Sequence, residues 1–309
     1  MKKKGKGKKI ILWIIGILLT IVVVGIAGGY IYLNNLLNKT TEVEIIIENV
    51  GITPEVEENL CKYSDTILNI ALFGIDSNQG ITGRSDSIMI ATIDTHNKKL
   101  KLTSIMRDSY VDIEERGYDK INHAYAFGGP ELAINTLNRN FDLNIKDFVA
   151  VNFSTLPRII DLLGGVDIEI TDEEISHISG INSSGVYTLT GDQALQYSRI
   201  RYASGGDYKR TERQRNVLSS IFNKVLQMNI AKYPSLLNEI LPMIETNLKS
   251  GDILDLGSEI IKMGKSTLEQ ERFPRDGYCQ GEMINGVYYL TFDKAKTVEQ
   301  IHNYIFEDK

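Results

Sequence analysis

The chain has 309 residues, a mass of 34.7 kDa, 42% hydrophobic and 24% charged residues and only 6 prolines. That suffices for one large domain or two small ones with proper cores, and excludes both a disordered chain and a disulfide-stapled miniprotein. The formal charge is −6, but six of the 34 basic residues are lysines within the first nine positions, so the remainder carries 28 basic against 40 acidic residues. So acidic a chain lacks the broad basic face that phosphate neutralisation requires, and no nucleic-acid partner is expected.

After the lysines the chain is uncharged from Ile10 through Asn38, with an apolar run to Leu33. A helix needs about 20 apolar residues to cross the hydrocarbon core, and this run is long enough to span with some tilt. A cleaved signal peptide has a shorter apolar region of about 7–15 residues, although the small residues of Gly25–Gly29 offer a place to cut. We read the run as an uncleaved anchor, with the lysines cytoplasmic and the rest of the chain outside the cell membrane. The expected organisation is a tail and transmembrane anchor over 1–37, an extracytoplasmic stalk over 38–65 with one short helix after Pro54, and one domain over 66–309.

Within the domain, Thr66–Phe73, Ser87–Asp94 and Lys99–Ile105 are predicted strands, rich in Ile, Leu and Thr with partial period-two alternation. A helix follows over Pro130–Asn138, a strand over Asp147–Phe153, and a helix over Ser154–Leu163 capped by Ser154 and stopped by Gly164-Gly165. Val166–Ile170 is a strand, a long helix runs from about Asp207 to Asn229, and further helices lie near 234–248, 251–263 and 293–306. Asn285-Gly286 is a hairpin turn signal. The pattern predicts an α/β fold in which helices cover one sheet. Cys61 and Cys279 are too far apart for CxxC chemistry, and the four histidines form no metal-ligand pattern. Whether the two thiols join in a bridge stays open.

Arginine is the residue whose distribution carries most information. Five of the twelve arginines fall between Arg199 and Arg215. Arg199 and Arg201 are two apart and would share a face of an extended segment. On the long helix, Leu218, Ile221 and Val225 mark the apolar stripe, and stepping back along it reaches Gln214, Arg210 and Asp207. The polar residues therefore continue the buried face. A buried guanidinium costs several kcal/mol unless it is paired, so either an internal Arg–Asp network or an anionic ligand must meet it.

Gly74-Ile75-Asp76 ends the first strand and Gly83-Arg84-Ser85-Asp86 precedes the second, placing two aspartates in glycine-bearing loops. Such aspartates are common turn-formers, and a carboxylate pair is also what Mg²⁺ takes from a protein, completing its shell with water and substrate phosphate. Met106-Arg107-Asp108 ends the third strand with another Arg–Asp pair. Several Arg and Asp together suit a phosphate-bearing ligand. No GxxxxGK[ST], GxGxxG or GxSxG is present.

The segments NIALFGID (Asn69–Asp76), GRSD (Gly83–Asp86), SIMRDS (Ser104–Ser109), KINHAYAFGG (Lys120–Gly129), GGVDIEI (Gly164–Ile170), LTGDQALQYSRIR (Leu189–Arg201) and DYKRTERQ (Asp207–Gln214) occur in the order of the LytR–CpsA–Psr domain. The chain resembles that family from about Ile67 to Ser220; beyond, it carries little signature. The resemblance implies a central mixed sheet flanked by helices behind a single N-terminal transmembrane helix, in an extracytoplasmic, Mg²⁺-dependent phosphotransferase of the Gram-positive envelope. It would move a glycopolymer from an undecaprenyl-pyrophosphate carrier to peptidoglycan, onto the 6-hydroxyl of N-acetylmuramic acid. By the same resemblance Asp76 and Asp86 correspond to metal-binding carboxylates, and Arg84, Arg107, Arg199, Arg201, Arg210, Gln214 and Lys120 to the pyrophosphate-binding set. Arg107, with Asp108 or Asp207 to take the acceptor's proton, corresponds to the catalytic group. The family also carries an apolar cavity for the polyprenyl tail, and usually has Pro where this chain has Met106. A polyprenyl-pyrophosphate hydrolase, differing only in that water attacks, and a non-catalytic polyanion- or peptidoglycan-binding module are the competing readings.

Overall fold

The computed structural model describes residues 35–77, 83–201, 206–229, 232–264 and 267–309. The apolar run expected to span a membrane lies outside them, and among the described residues no helix is long and apolar enough to do so. In chain order the elements are β1 (Thr41–Glu42), α1 (Pro54–Leu60), β2 (Ile67–Asp76), β3 (Arg84–Asp94), β4 (Lys99–Ile105), β5 (Tyr110–Ile113), β6 (Gly117–Lys120) and α2 (His123–Phe141). Next come β7 (Asp147–Asn152), α3 (Leu156–Leu162), β8 (Val166–Ile170), β9 (Gly185–Leu189), α4 (Gly191–Arg199), α5 (Gly206–Gln227) and α6 (Tyr233–Ile240). The last are β10 (Ile244–Thr246), α7 (Ser250–Met263), β11 (Thr267–Phe273), β12 (Cys279–Ile284), β13 (Val287–Phe292) and α8 (Lys294–Ile305).

Among the described residues seven strands form one mixed sheet in the order β1-β10-β7-β2-β3-β4-β11, and β5–β6, β8–β9 and β12–β13 form separate hairpins. β2 runs antiparallel to β3 and parallel to β7, and β4 runs parallel to β11. Strand alternation sends Ala71, Phe73, Ile88 and Ile90 into the main core with Ile134 and Leu137 of α2 and Ile301 and Ile305 of α8. Leu72, Met89 and Val149 line the opposite side, beneath α3, α5 and α6. Helices on both faces of a mixed sheet are the expected α/β architecture.

Several boundaries differ from expectation for identifiable reasons. The helix assigned from His123 is interrupted at Gly128 and Gly129 (φ −147° and 65°), so Pro130 does open its regular part. Ser154 does not cap α3: the helix starts at Leu156, and the Ser154 amide instead donates to Asn152 Oδ1 (2.8 Å) in a side-chain turn. The helix expected over 234–248 stops at Ile240, a short 3-10 turn carries Pro242, and Ile244–Thr246 joins the sheet. Asn285 and Gly286 both take positive φ (51° and 80°) and close the β12–β13 hairpin. Cys61 and Cys279 are both unpaired thiols.

The segment 38–65 is not a free stalk. β1 pairs with β10 at the sheet edge, α1 is capped by Thr53, and Val50 and Leu60 are buried in the main core. Asn138 of α2 fastens the segment: its Nδ2 donates to the carbonyls of Val50 and Ile145 (both 2.8 Å), and its Oδ1 accepts from Ile145 N (3.0 Å). Asn138→Ala leaves three buried backbone groups without partners and should destabilise the protein by about 3 kcal/mol. Urea unfolding checks this, and a loss under about 1 kcal/mol would mean water replaces the amide.

Candidate active site: an arginine–carboxylate cluster at the end of an apolar cavity

The pairing of β2 with β3 slips between Gly74 and Ile75. Gly74 faces Ser87, Ile75 faces Ser85, and Asp86 is the extra residue of the resulting bulge. A bulge bends a strand and re-aims a side chain. Here the redirected group is the Asp86 carboxylate, which accepts from Arg107 Nη1 (2.7 Å) and from Asn122 Nδ2 (2.9 Å). Beyond the bulge, Asp76 lies opposite Arg84.

Arg107 follows the C-terminal end of β4 and is the hub of the cluster. Its Nε lies 3.4 Å from Asp108 Oδ2 and 3.4 Å from Asp207 Oδ2. Asp108 is also held by Lys120 Nζ (2.7 Å), at the end of β6, and Asp207 by Arg210 Nη2 (2.8 Å), one turn along α5. Burial works against the Arg107 charge, but the carboxylates of Asp86, Asp207 and Asp108 outweigh it and raise the guanidinium's pKa.

Arg210 is placed differently. It is 2% exposed, and its Nε and Nη1 are buried with no hydrogen-bond partner among the described residues. Burial, and after it the positive charges of Arg107 and Arg201, push its pKa down to about 10, despite Asp207 and Asp86. At neutral pH it therefore remains a buried cation short of partners, the condition under which a bound anion is most strongly attracted.

Directly beyond Arg210 the buried face of α5 turns apolar, as the helix phase predicts. A cavity of about 330 Å³ is walled by Leu218, Ile221 and Val225 of α5, Leu72 and Met89 of the sheet and Leu236 of α6. Two of its polar residues adjoin the charged cluster in sequence, Ser87 after Asp86 and Gln214 one turn from Arg210, while Asn152, Ser198 and Tyr233 lie elsewhere on its wall. Gln214 Oε1 is buried without a hydrogen-bond donor among the described residues.

The structure thus gathers Asp86, Arg107, Asp108, Lys120, Asp207 and Arg210 in direct contact and places Gln214 on the cavity wall. Arg199 and Arg201 do not share a strand face, because Arg199 is the last residue of α4, capped by the extended Ile200, and Arg201 is exposed beyond it outside any strand. Arg199 Nη2 instead lies 3.8 Å from Asp76 Oδ1, in a pair more than half exposed. Arg84 is exposed at the start of β3. Arg213 and Arg215 belong to the internal framework: Arg213 pairs with buried Glu174 (2.6 Å) and Arg215 donates to Ser104 Oγ (2.9 Å). Asn122, which orients Asp86, was not singled out from sequence, since an Asn before a helix reads as an ordinary turn residue.

An α/β fold with three basic and three acidic side chains interlocked near one end of an apolar cavity offers buried guanidinium donors beside an apolar wall, the combination an amphipathic, phosphate-bearing ligand requires. The chain matches the LytR_cpsA_psr family over residues 32–305 and belongs to it. It is 32% identical over 292 residues, 94% of each chain, to the Bacillus cereus polyisoprenyl-teichoic acid–peptidoglycan teichoic acid transferase TagU. Among solved structures it is similar to TagT bound to LIIa-WTA, at 28% identity and TM-score 0.66, covering 79% of this chain and 91% of that one. It is also similar to the family protein YwtF (TagT) with bound octaprenyl pyrophosphate lipid, at 27% identity and TM-score 0.61, covering 78% and 90%.

A buried, incompletely partnered guanidinium weakens the fold it serves. Arg210→Met should leave stability unchanged or raise it by about 1 kcal/mol, while lowering affinity for inorganic pyrophosphate at least tenfold. Calorimetric titration with parallel thermal unfolding tests both halves, and a stability loss above about 2 kcal/mol would make Arg210 a framework residue.

Proposed function

We propose that the protein is an extracytoplasmic phosphotransferase that moves a glycopolymer from an undecaprenyl-pyrophosphate carrier to peptidoglycan, at the N-acetylmuramic acid 6-hydroxyl. The observation that carries this reading is the continuity of the apolar cavity with the Arg–Asp cluster along one face of α5, where Leu218, Gln214 and Arg210 succeed one another. A polyprenyl pyrophosphate has the matching order of parts. Its tail fits an apolar wall, and its diphosphate meets Arg107, Lys120, Arg201 and Arg210, with Arg84 and Arg199 at the margin. A relative's structure with an octaprenyl pyrophosphate, and another relative's name as a teichoic acid transferase, support the assignment.

In the reaction we infer, the acceptor hydroxyl oxygen bonds to the phosphorus bearing the polymer's first sugar. The bond from that phosphorus to the bridging oxygen breaks, and polyprenyl monophosphate leaves with the electron pair. The hydroxyl proton passes to Asp108 or Asp207, both beside Arg107. The guanidiniums hold the phosphates in line and neutralise charge on the equatorial oxygens, where most of the catalysis of phosphoryl transfer resides.

Asp76 and Asp86 are the residues we assign to hold Mg²⁺. They are oxygen donors on neighbouring strands, Asp86 within the bulge of β3 and Asp76 beyond it on β2; among the described residues no group of three or more His, Cys, Asp or Glu is gathered for a metal. Two carboxylates with water and substrate phosphate are the habit of Mg²⁺, which when bound supplies positive charge to the pyrophosphate oxygens. The apolar run 10–33 would anchor the domain beside a donor confined to the same membrane.

The test is incubation of the full chain, in detergent, with a polyprenyl-pyrophosphate-linked glycan and peptidoglycan fragments, with and without Mg²⁺, followed by mass spectrometry. Phosphodiester-linked product is expected; release of free glycan phosphate alone would favour the hydrolase, and tight donor binding without turnover the binding module. Arg107→Ala and Arg201→Ala should each lower transfer by at least about a hundredfold without loss of fold, and wild-type rates in both would remove the pyrophosphate site. Asp76→Asn should raise the Mg²⁺ concentration needed for half-maximal rate, and an unchanged titration counts against the two-carboxylate assignment.

A further inference from the structure

Beside the charged cluster, two hairpins carry tyrosine rings that the fold does not bury. Tyr118 is 64% exposed and Tyr288 47% exposed. Tyr110 links the hairpins, its ring centre 5.2 Å from that of Tyr118 on β6 and 4.7 Å from that of Tyr289 on β13. Lys120 Nζ, the group that holds Asp108, lies 5.9 Å and 5.8 Å from the ring centres of Tyr288 and Tyr289. The hairpin is fixed to the site by backbone: Leu290 N donates to Asp108 O (2.8 Å), and Leu290 bridges Ser109. By strand alternation Tyr288 shares the face of the buried Leu290.

Tyr288 is also held in one attitude. Gly281 on the partner strand approaches it so closely that a Cβ there would stand 2.7 Å from Tyr288 Cε2 and 2.8 Å from its Oη. The absence of a side chain at Gly281 lets the ring lie against the strand, leaving the other side to solvent. Burial, and then the charges of Asp108 and Asp207, raise the Tyr288 phenol above its ordinary pKa, in keeping with a ring next to both carboxylates. A rigid aromatic ring with a polar tip, exposed beside the reacting groups, is a surface for a ligand that is apolar on its faces and hydroxylated at its edges. A pyranose ring has that character.

We propose that Tyr288, with Tyr289, Tyr110 and Tyr118 on the other side of Lys120, forms the binding site of the acceptor glycan, one sugar ring stacking on Tyr288 and presenting a hydroxyl to Asp108 and Asp207. The inference rests on the phosphotransferase reading and names the acceptor's place within it. In-line transfer sets the attacking and leaving oxygens on opposite sides of the phosphorus. The leaving polyprenyl phosphate belongs with the apolar cavity, whose lining includes none of these tyrosines. The attacking sugar then comes from the side on which Asp108 is bonded to the β12–β13 hairpin.

The test is calorimetric titration of the full chain, in detergent and without donor, with a peptide-free tetrasaccharide of alternating N-acetylglucosamine and N-acetylmuramic acid. The wild type should bind it. Tyr288→Ala should weaken binding about tenfold, and Tyr288→Phe, which keeps the ring, should restore it. Gly281→Val, which displaces the ring and keeps its chemistry, should behave as Tyr288→Ala does, with thermal unfolding reporting the fold of each variant. In the transfer assay the KM for the glycan should rise with Tyr288→Ala while the KM for the donor holds. No binding by the wild type, equal binding by Tyr288→Ala, or a change in the donor's KM alone would overturn the site, the last by giving the tyrosines to the donor's sugars. Glycan binding that needs Tyr288 in a protein that transfers nothing would retire the transferase reading and leave this site standing.

Discussion

The structure is organised around a cost, the burial of Arg210 at the point where α5 passes from charged to apolar surroundings. One of its terminal nitrogens is met by Asp207, and its remaining buried donors are not satisfied by the described residues. Removing such a group from water is expensive unless it is both paired and hydrogen-bonded. The neighbouring groups do not remove the deficit: Arg107 and Arg201 add positive charge, while Asp86, Asp108 and Asp207 already serve Arg107. A fold selected for stability alone would place a methionine there. What the arrangement gives instead is a set of donors already oriented, with no reorganisation needed when phosphate arrives.

The sheet supplies the other half of that orientation. Three side chains of the cluster are delivered by backbone irregularities at the ends of strands: Asp86 by the bulge in β3, and Arg107 and Asp108 by the turn that leaves β4. Helix α5 then lays Asp207, Arg210 and Gln214 across those ends, one turn apart, with Leu218, Ile221 and Val225 continuing over the cavity. Regular strands could not converge in this way, because their side chains alternate strictly between faces. The regular parts of β2, β3 and β7 wall the cavity, and their irregular ends carry the charge. That division follows from what each kind of backbone can do.

This also decides which features were legible in the sequence. The buried phase of Asp207, Arg210 and Gln214 could be read because helical periodicity relates each residue to the apolar stripe behind it. The strands Lys99–Ile105 and Val166–Ile170 matched their predicted bounds because turn residues flank them closely. The bulge at Asp86 could not be read, since it depends on the register against β2, which no local pattern encodes. The same holds for the role of Asn122 and for the division of the arginines, where Arg213 and Arg215 differ from Arg210 only in meeting Glu174 and Ser104, far away in sequence. The segment 38–65 failed in the opposite sense: its apolar residues are too irregularly spaced to announce that they are buried.

The C-terminal third shows the limit most clearly. Motif resemblance fades after Ser220, yet the last strands complete the site through main-chain hydrogen bonds, which leave no trace in side-chain pattern. Met106 N donates to Phe273 O at the end of β11 (2.9 Å), and Leu290 N to Asp108 O (2.8 Å), so the Met106–Asp108 turn is held from two sides. A proline at position 106 would stiffen this turn but would have no N–H to give. Met106, 2% exposed, supplies rigidity instead through its amide hydrogen bond and its packing. The turn is thus fixed by its own main-chain hydrogen bonds and packing, and Arg107 has the orientation from which it reaches Asp86, Asp108 and Asp207 together.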